Sequence, residues 1–298
     1  MIRQAGPEDA ENIETFLIPH AASSMFLRGN LAAHGTRDLI HPHGTTFWLY
    51  EDEECITAIA GCTNGGYLMC QAPDADAAFW YAVTDAVAGR EIQGMTGVPS
   101  QISALAEVLG CAPADFALRE IEPLYALDLQ DWQSDLPEGL ALRSPQASDQ
   151  NLLEMWFAGY HADTGMAPPK GSNVRDIARG YIGNPDARLL TKAGQPVGMT
   201  TFNARAAEIV QVGGVYVAPD QRGQGLGGAV VALHLMEARV VGTKQAILFA
   251  ANDFAARAYE RIGFARIGSY EVALLREPKL IRDVSIENVM PQLSTGAR

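Results

Sequence analysis

"GVYVAPDQRGQGLGGAV", residues 214–230, sets one arginine and four glycines within seven residues, Arg222 to Gly228. Glycine reaches positive φ and admits close approach, so successive backbone N–H groups there can converge on one anion. A helix beginning at about Leu226 would add the positive end of its dipole, and Leu226, Val230 and Leu233 give that helix a face to bury. The stretch reads as a pyrophosphate cradle. Gly223, Gly225 and Gly228 also spell G-x-G-x-x-G. In a dinucleotide site, however, the first glycine closely follows its strand, whereas here APDQR intervenes and the segments before it look like an antiparallel meander. A Walker loop is excluded because no Gly-Lys-Ser/Thr follows.

Outward from the loop, the chain repeats itself. "IRQAGPEDAENIETFL" from Ile2 returns as "LRSPQASDQNLLEMWF" from Leu142, with Arg3 matching Arg143, Asp9 matching Asp149 and Ile13 matching Leu153 at a spacing of 140. A three-strand pattern follows in each half. Its turns fall at Glu51–Glu54 and Asn64–Gly66 in the first, and near Gly194 and Ala204 in the second. Both patterns end in Ala-Pro-Asp, 146 residues apart. "MTGVPSQISALAEVLGCA" then matches "LFAANDFAARAYERIGFA", each a strand, a turn, an alanine-rich helix and a glycine stop, with Gly110 and Gly263 at a spacing of 153. The residues gained lie in the interval that holds the glycine loop, so one copy carries it and the other lacks it.

These patterns predict an α/β (α+β) chain of two domains, 1–130 and 138–276, joined by the acidic linker "DLQDWQSDLPEG" and followed by a polar tail, 277–298. At 298 residues and 48% hydrophobic content the chain can bury two cores. With 22 basic and 35 acidic residues, its net charge of −13 argues against a nucleic-acid partner held by charge and suits an amine ligand better. Cys55, Cys62, Cys70 and Cys111 form no C-x-x-C pair, so they read as buried free thiols of a reducing cytoplasm. His41 and His43 in "HPHG" lack a carboxylate or thiol at ligand spacing and predict no metal site. No apolar run approaches the ~18 residues of a membrane span, and "MIRQAGPEDAENIE" is acidic where a signal peptide would be basic, so the expectation is a soluble cytoplasmic chain without a membrane partner. The oligomeric state is not legible.

The second half resembles the GNAT superfamily of acetyl-CoA-dependent N-acetyltransferases. The family's cofactor motif runs strand, Pro-containing loop, R/Q-x-x-G-x-G/A, helix, and Arg222, Gly225 and Gly227 stand in its register. A strand, an Asn and a helix bearing Tyr before Gly-Phe come next, matched by Asn252, Tyr259, Gly263 and Phe264. The resemblance covers residues 140–275; in the first half Pro99 answers Asn252 and Ala106 answers Tyr259, which implies a degenerate copy.

The resemblance implies two GNAT-like domains, each a mostly antiparallel mixed sheet flanked by helices, and direct transfer of an acetyl group to the amine of a small acceptor. Acetyl-CoA would be held by Val215, Tyr216 and Val217, behind a bulge suited to Gly213 and Gly214, and by Arg222, Gly223, Gln224, Gly225, Leu226, Gly227, Gly228 and Asn252. Tyr259 would be the general acid and Glu208, opening the cofactor strand, the general base; Asn252 also suits a helix N-cap. Tyr160, His161 and Asp163, in the segment 159–185 over the acceptor site, are candidate substrate contacts. A non-catalytic acyl-CoA sensor or scaffold, and acetylation of protein N-termini or lysines, remain as alternatives.

Overall fold

The computed structural model describes residues 2–53, 55–165 and 172–282. The first half of the chain forms β1 (Ile2–Gln4), α1 (Ala10–Leu17), α2 (Met25–His34), β2 (Thr45–Asp52), β3 (Cys55–Thr63), β4 (Tyr67–Gln71), α3 (Ala77–Ala86), β5 (Glu91–Gly97), α4 (Pro99–Val108) and β6 (Phe116–Asp128). The second half repeats that order with β7 (Leu140–Arg143), α5 (Gln150–Thr164), α6 (Val174–Gly183), β8 (Ala187–Lys192), β9 (Gln195–Ala206), β10 (Ile209–Val217), α7 (Leu226–Val240), β11 (Gln245–Phe249), α8 (Asp253–Arg261) and β12 (Ala265–Leu280). Among the described residues no helix is long and apolar enough to cross a membrane.

Two compact units result, and their boundaries differ from those the sequence suggested. Unit 1 combines Met1–Ile121 with Ser269 onward, while unit 2 is Glu122–Gly268. The sheet of unit 1 runs β1-β2-β3-β4-β5-β12, antiparallel except where β4 meets β5. The sheet of unit 2 runs β7-β8-β9-β10-β11-β6, antiparallel except where β10 meets β11. Each unit thus completes its sheet with the strand that ends the other repeat. The residues 277–280, expected in a polar tail, belong to β12, where Lys279 and Leu280 pair with Ile92 and Glu91; residues 283–298 lie outside the described ones.

Strand alternation builds two layers in each unit, because successive side chains leave a strand on opposite faces. In unit 1, Phe47, Leu49 and Ile59 pack with Ile13 and Leu17 of α1, while Trp48, Ala58 and Ala60 pack with Phe79 of α3 and Ile102 of α4. In unit 2, Leu189, Met199 and Tyr216 face Trp156 and Phe157 of α5, while Leu190, Val210 and Val212 face Leu226, Val230 and Leu235 of α7. Each buried Val, Leu, Ile, Phe or Met among them contributes about 1.5–3 kcal/mol. The buried face of α7 is wider than the Leu226, Val230, Leu233 stripe suggested, since Gly228 through Ala232 are all buried as well.

The repeat extends to individual hydrogen bonds. Arg3 grips Asp9 through two bonds of 2.8 Å, and Arg143 grips Asp149 through two of 2.7 Å. Each aspartate also accepts a backbone N–H three residues earlier, from Gly6 and from Gln146, at 2.7 Å. At the far end of each copy the helix closes identically. Cys111 N–H reaches Ala106 O and Phe264 N–H reaches Tyr259 O, around glycines at φ +63 and +104.

Three local expectations need correction. The turn expected near Ala204 lies at Ala207–Glu208, because β9 runs through Ala206 and the chain reverses with Ala207 at φ +44. The segment read as a linker between domains packs into unit 2: Leu129 and Trp132 are buried, and Trp132 Nε1 donates to Ile262 O at 2.6 Å. Cys62 and Cys70 are buried thiols with pKa raised by desolvation, but Cys55 is exposed and Cys111 half-buried.

Candidate active site

The parallel pairing of β10 with β11 is recorded from Ile209 to Val212, opposite Gln245 to Leu248, after which β10 runs on to Val217 without it. The cause is on the other side of the strand. Between Gly213 and Tyr216 its register with β9 slips, with Gly214 at φ +58, and a side chain at Gly213 would collide with Asn203. This is the expected bulge; it bends β10 away and leaves the backbone of Val215–Val217 with an edge facing a gap in the sheet.

The glycine loop opens at that end of β10. Gly223 and Gly225 take φ of +78 and +73, and Gly225 caps α7 with no side-chain hydrogen bond. The first N–H groups of α7 therefore have no side-chain anion of their own. Gly228 serves packing instead, for a Cβ there would lie 3.2 Å from Ala258 O, and its absence lets α7 rest on α8. Gly227 has open space, an added Cβ touching only Val217 at 3.9 Å. Leu226 is core, Gln224 is exposed and accepts from Lys192 Nζ at 2.8 Å, and Arg222 is committed. Its guanidinium lies 5.3 Å from the Tyr216 ring centre, donates to Val217 O at 3.1 Å and pairs with Asp163 at 2.6 Å.

The equivalent loop of unit 1 shows what is missing there. Asp76 caps α3 by accepting Phe79 N–H at 3.1 Å, so the protein's own carboxylate occupies that helix N-terminus. An incoming phosphate would meet a like charge. No such carboxylate caps α7.

From the opposite layers of unit 2, two tyrosines converge. Tyr160 is on α5 and Tyr259 on α8, yet Tyr160 stands near enough to raise the pKa of Tyr259. Burial, above all, pushes both upward from the ordinary tyrosine pKa, with Glu122 adding to each. Gly159 prepares the α5 side, since a side chain there would run into the Tyr216 hydroxyl. Asn252 caps α8, accepting Ala255 N–H at 3.0 Å. Tyr125 donates to Glu260 at 2.9 Å and ties α8 to β6.

The structure thus gathers Tyr259, Asn252, Tyr160, Asp163, Arg222 and the glycines at the C-terminal ends of β10 and β11. His161 follows Tyr160 on α5, its ring 5.8 Å from that of the tyrosine. Residues 166–171 of the segment expected over the acceptor lie outside the described ones. Glu208 is not in the group. It stands at the opposite end of β10, where its backbone carbonyl accepts Lys244 N–H at 2.7 Å and its carboxylate pairs with Lys244 Nζ at 2.5 Å. The strand end that the family resemblance picked out therefore lies away from the two tyrosines. Glu122, which in sequence ends the first repeat and was not among the expected residues, acts on both tyrosines. Among the described residues no group of His, Cys, Asp and Glu is arranged to hold a metal.

A sheet split between parallel strands, a helix presenting free N–H groups at the split and a buried tyrosine beyond it define an acyltransferase. Residues 154–264, within unit 2, match the model of the Acetyltransferase (GNAT) family. No curated protein matches the chain in sequence. Among solved structures, a Drosophila protein is similar at TM-score 0.61 and 14% identity, over 92% of this chain and 98% of its own. A GCN5-related N-acetyltransferase from Sphaerobacter thermophilus is similar at TM-score 0.54 and 16% identity, over 95% and 96%. A tandem GNAT protein from the clavulanic acid biosynthesis pathway is similar at TM-score 0.50 and 13% identity, over 93% and 98%. At such identities the likeness is one of fold, and it extends over both repeats.

Proposed function

We propose that unit 2 moves an acetyl group from acetyl-CoA to the amine of a small acceptor by direct attack. The observation that carries this reading is the uncapped, glycine-shaped N-terminus of α7 beside the open edge of β10, with Tyr259 beyond it. The N–H groups of Gly223–Gly228 would hold the diphosphate, the backbone of Val215–Val217 the pantetheine arm, and Asn252 and Tyr259 the thioester end. When bound, acetyl-CoA supplies an acyl carbon already activated as a thioester. Tyr259 keeps its proton throughout the neutral range and can deliver it to the departing sulfur. The chain's net charge of −13 favours a cationic acceptor over an acidic one. Free thiols support a reducing, cytoplasmic setting.

A thermal-shift titration tests the cofactor. Acetyl-CoA at a hundredfold excess over its dissociation constant adds about 2.7 kcal/mol of stability, and NADH adds none. The reverse preference overturns the reading. Release of free CoA across a panel of small primary amines then separates an enzyme from a sensor that binds without turnover.

A further inference from the structure

We infer that Glu122 is the base that takes the proton from the acceptor's ammonium group, a carboxylate brought to this site by the strand that ends the first repeat. The inference rests on the reading of unit 2 as an amine acetyltransferase.

Position comes first. β6 and β11 pair antiparallel, with Leu124 opposite Phe249, and Ala250 N–H donates to Pro123 O at 3.1 Å. One residue further back, Glu122 therefore stands opposite the turn Ala251–Asn252 that leads into α8. It is half-buried there. Its charge reaches the hydroxyl of Tyr160 from the α5 side and that of Tyr259 from the α8 side. A carboxylate felt from both layers lies past the C-terminal end of β11, beside the end of the gap between β10 and β11 where acceptor and thioester must meet.

Other acidic groups stand on the neighbouring elements. Asp163 pairs with Arg222, Glu260 accepts from Tyr125, Glu154 accepts from Gln150 and pairs with Arg175, and Glu208 is at the far end of β10 with Lys244. Asp253 is exposed in the first turn of α8.

Protons and electron pairs balance across the transfer. A primary amine is mostly ammonium at neutral pH and has no lone pair to attack with. One proton passes from it to Glu122 and on to solvent. The freed lone pair forms the N–C bond to the acyl carbon, the C–S bond breaks with its electron pair on sulfur, and Tyr259 protonates that sulfur. The second nitrogen proton, lost as the amide forms, restores Tyr259, so each turnover releases one proton.

The test compares wild type, Glu122→Gln and Glu122→Asp by CoA release with a turned-over primary amine across pH, alongside acetyl-CoA affinity and melting temperature. Glu122→Gln should lose about 10²- to 10⁴-fold in turnover at neutral pH, with acetyl-CoA affinity unchanged. The loss should shrink toward the amine's own pKa, where solvent removes the proton instead. Glu122→Asp should keep the acid limb of the wild-type profile at a lower rate. A neutral-pH rate within about threefold of wild type, or a loss that does not shrink with pH, overturns the assignment.

A second readout needs no acceptor. With a ring-fluorinated, more acidic tyrosine at position 259, its fluorine resonance reports the hydroxyl's titration, and Glu122→Gln should lower the midpoint. An unmoved midpoint overturns the placement of Glu122. Failure of every amine in wild type, with that midpoint moved, counts against the amine reading instead.

Discussion

Tyr259 is 7% exposed and stands where the first repeat has Ala106, itself 3% exposed. The two helices close with the same hydrogen bonds around Gly110 and Gly263, so the backbone needs no aromatic ring at this position. What the ring adds is a buried hydroxyl within electrostatic reach of Tyr160 and Glu122. Tyr259→Phe keeps the packing and deletes that hydroxyl. Turnover should fall about 10²- to 10⁴-fold with melting temperature and acetyl-CoA affinity nearly unchanged; CoA release and calorimetry measure both. A turnover ratio within about threefold would leave Tyr259 with a packing role alone, far below what loss of a general acid produces.

Among the elements, α7 separates two meanings of glycine that the sequence could not. Gly225 at φ +73 is required by the turn, and Gly228 by the backbone of α8 at 3.2 Å from an added Cβ. Gly227 is required by neither, which makes it the informative position. Gly227→Val should leave the melting temperature within a degree or two while weakening acetyl-CoA at least tenfold, about 1.4 kcal/mol, by placing a branched side chain beside the helix N-terminus. Undiminished affinity by calorimetry would move the cofactor away from this loop. The helix, its start at Leu226, the bulge at Gly213–Gly214 and the cap at Asn252 were all legible, because glycine pairs and Asx caps leave local signals. The turn at Ala207–Glu208 was not, since neither residue is a turn former, and Glu122 was not, since its neighbours are set by pairing across the fold rather than along the chain.

For the molecule as a whole, acid stability falls in two separate windows. His234 on α7 is 2% exposed and stacked 3.7 Å from the Phe202 ring centre, and desolvation pushes it down to about 3. Its folded pKa lies below the unfolded value, so the unfolded chain binds the extra proton and stability drops as pH falls from about 6.5 toward 3. By pH 5 that loss is about 2 kcal/mol. Asp9 and Asp149 follow the same sign in a lower window: held down by Arg3 and Arg143, they stabilise the fold above the usual carboxylate range and lose that contribution only below about pH 4. His234→Phe should therefore flatten the change in urea midpoint between pH 7.5 and 5, and an undiminished slope would assign that window to other groups.

The exchange of strands has a consequence for how the chain becomes a protein. Unit 2 is one unbroken stretch, Glu122–Gly268, whereas unit 1 needs residues from both ends of the chain. During synthesis the first repeat emerges early but must wait, its β5 edge unpaired, until β12 has left the ribosome. The half that is made first is finished last, and for that interval it exposes the kind of open sheet edge that invites another chain or a chaperone.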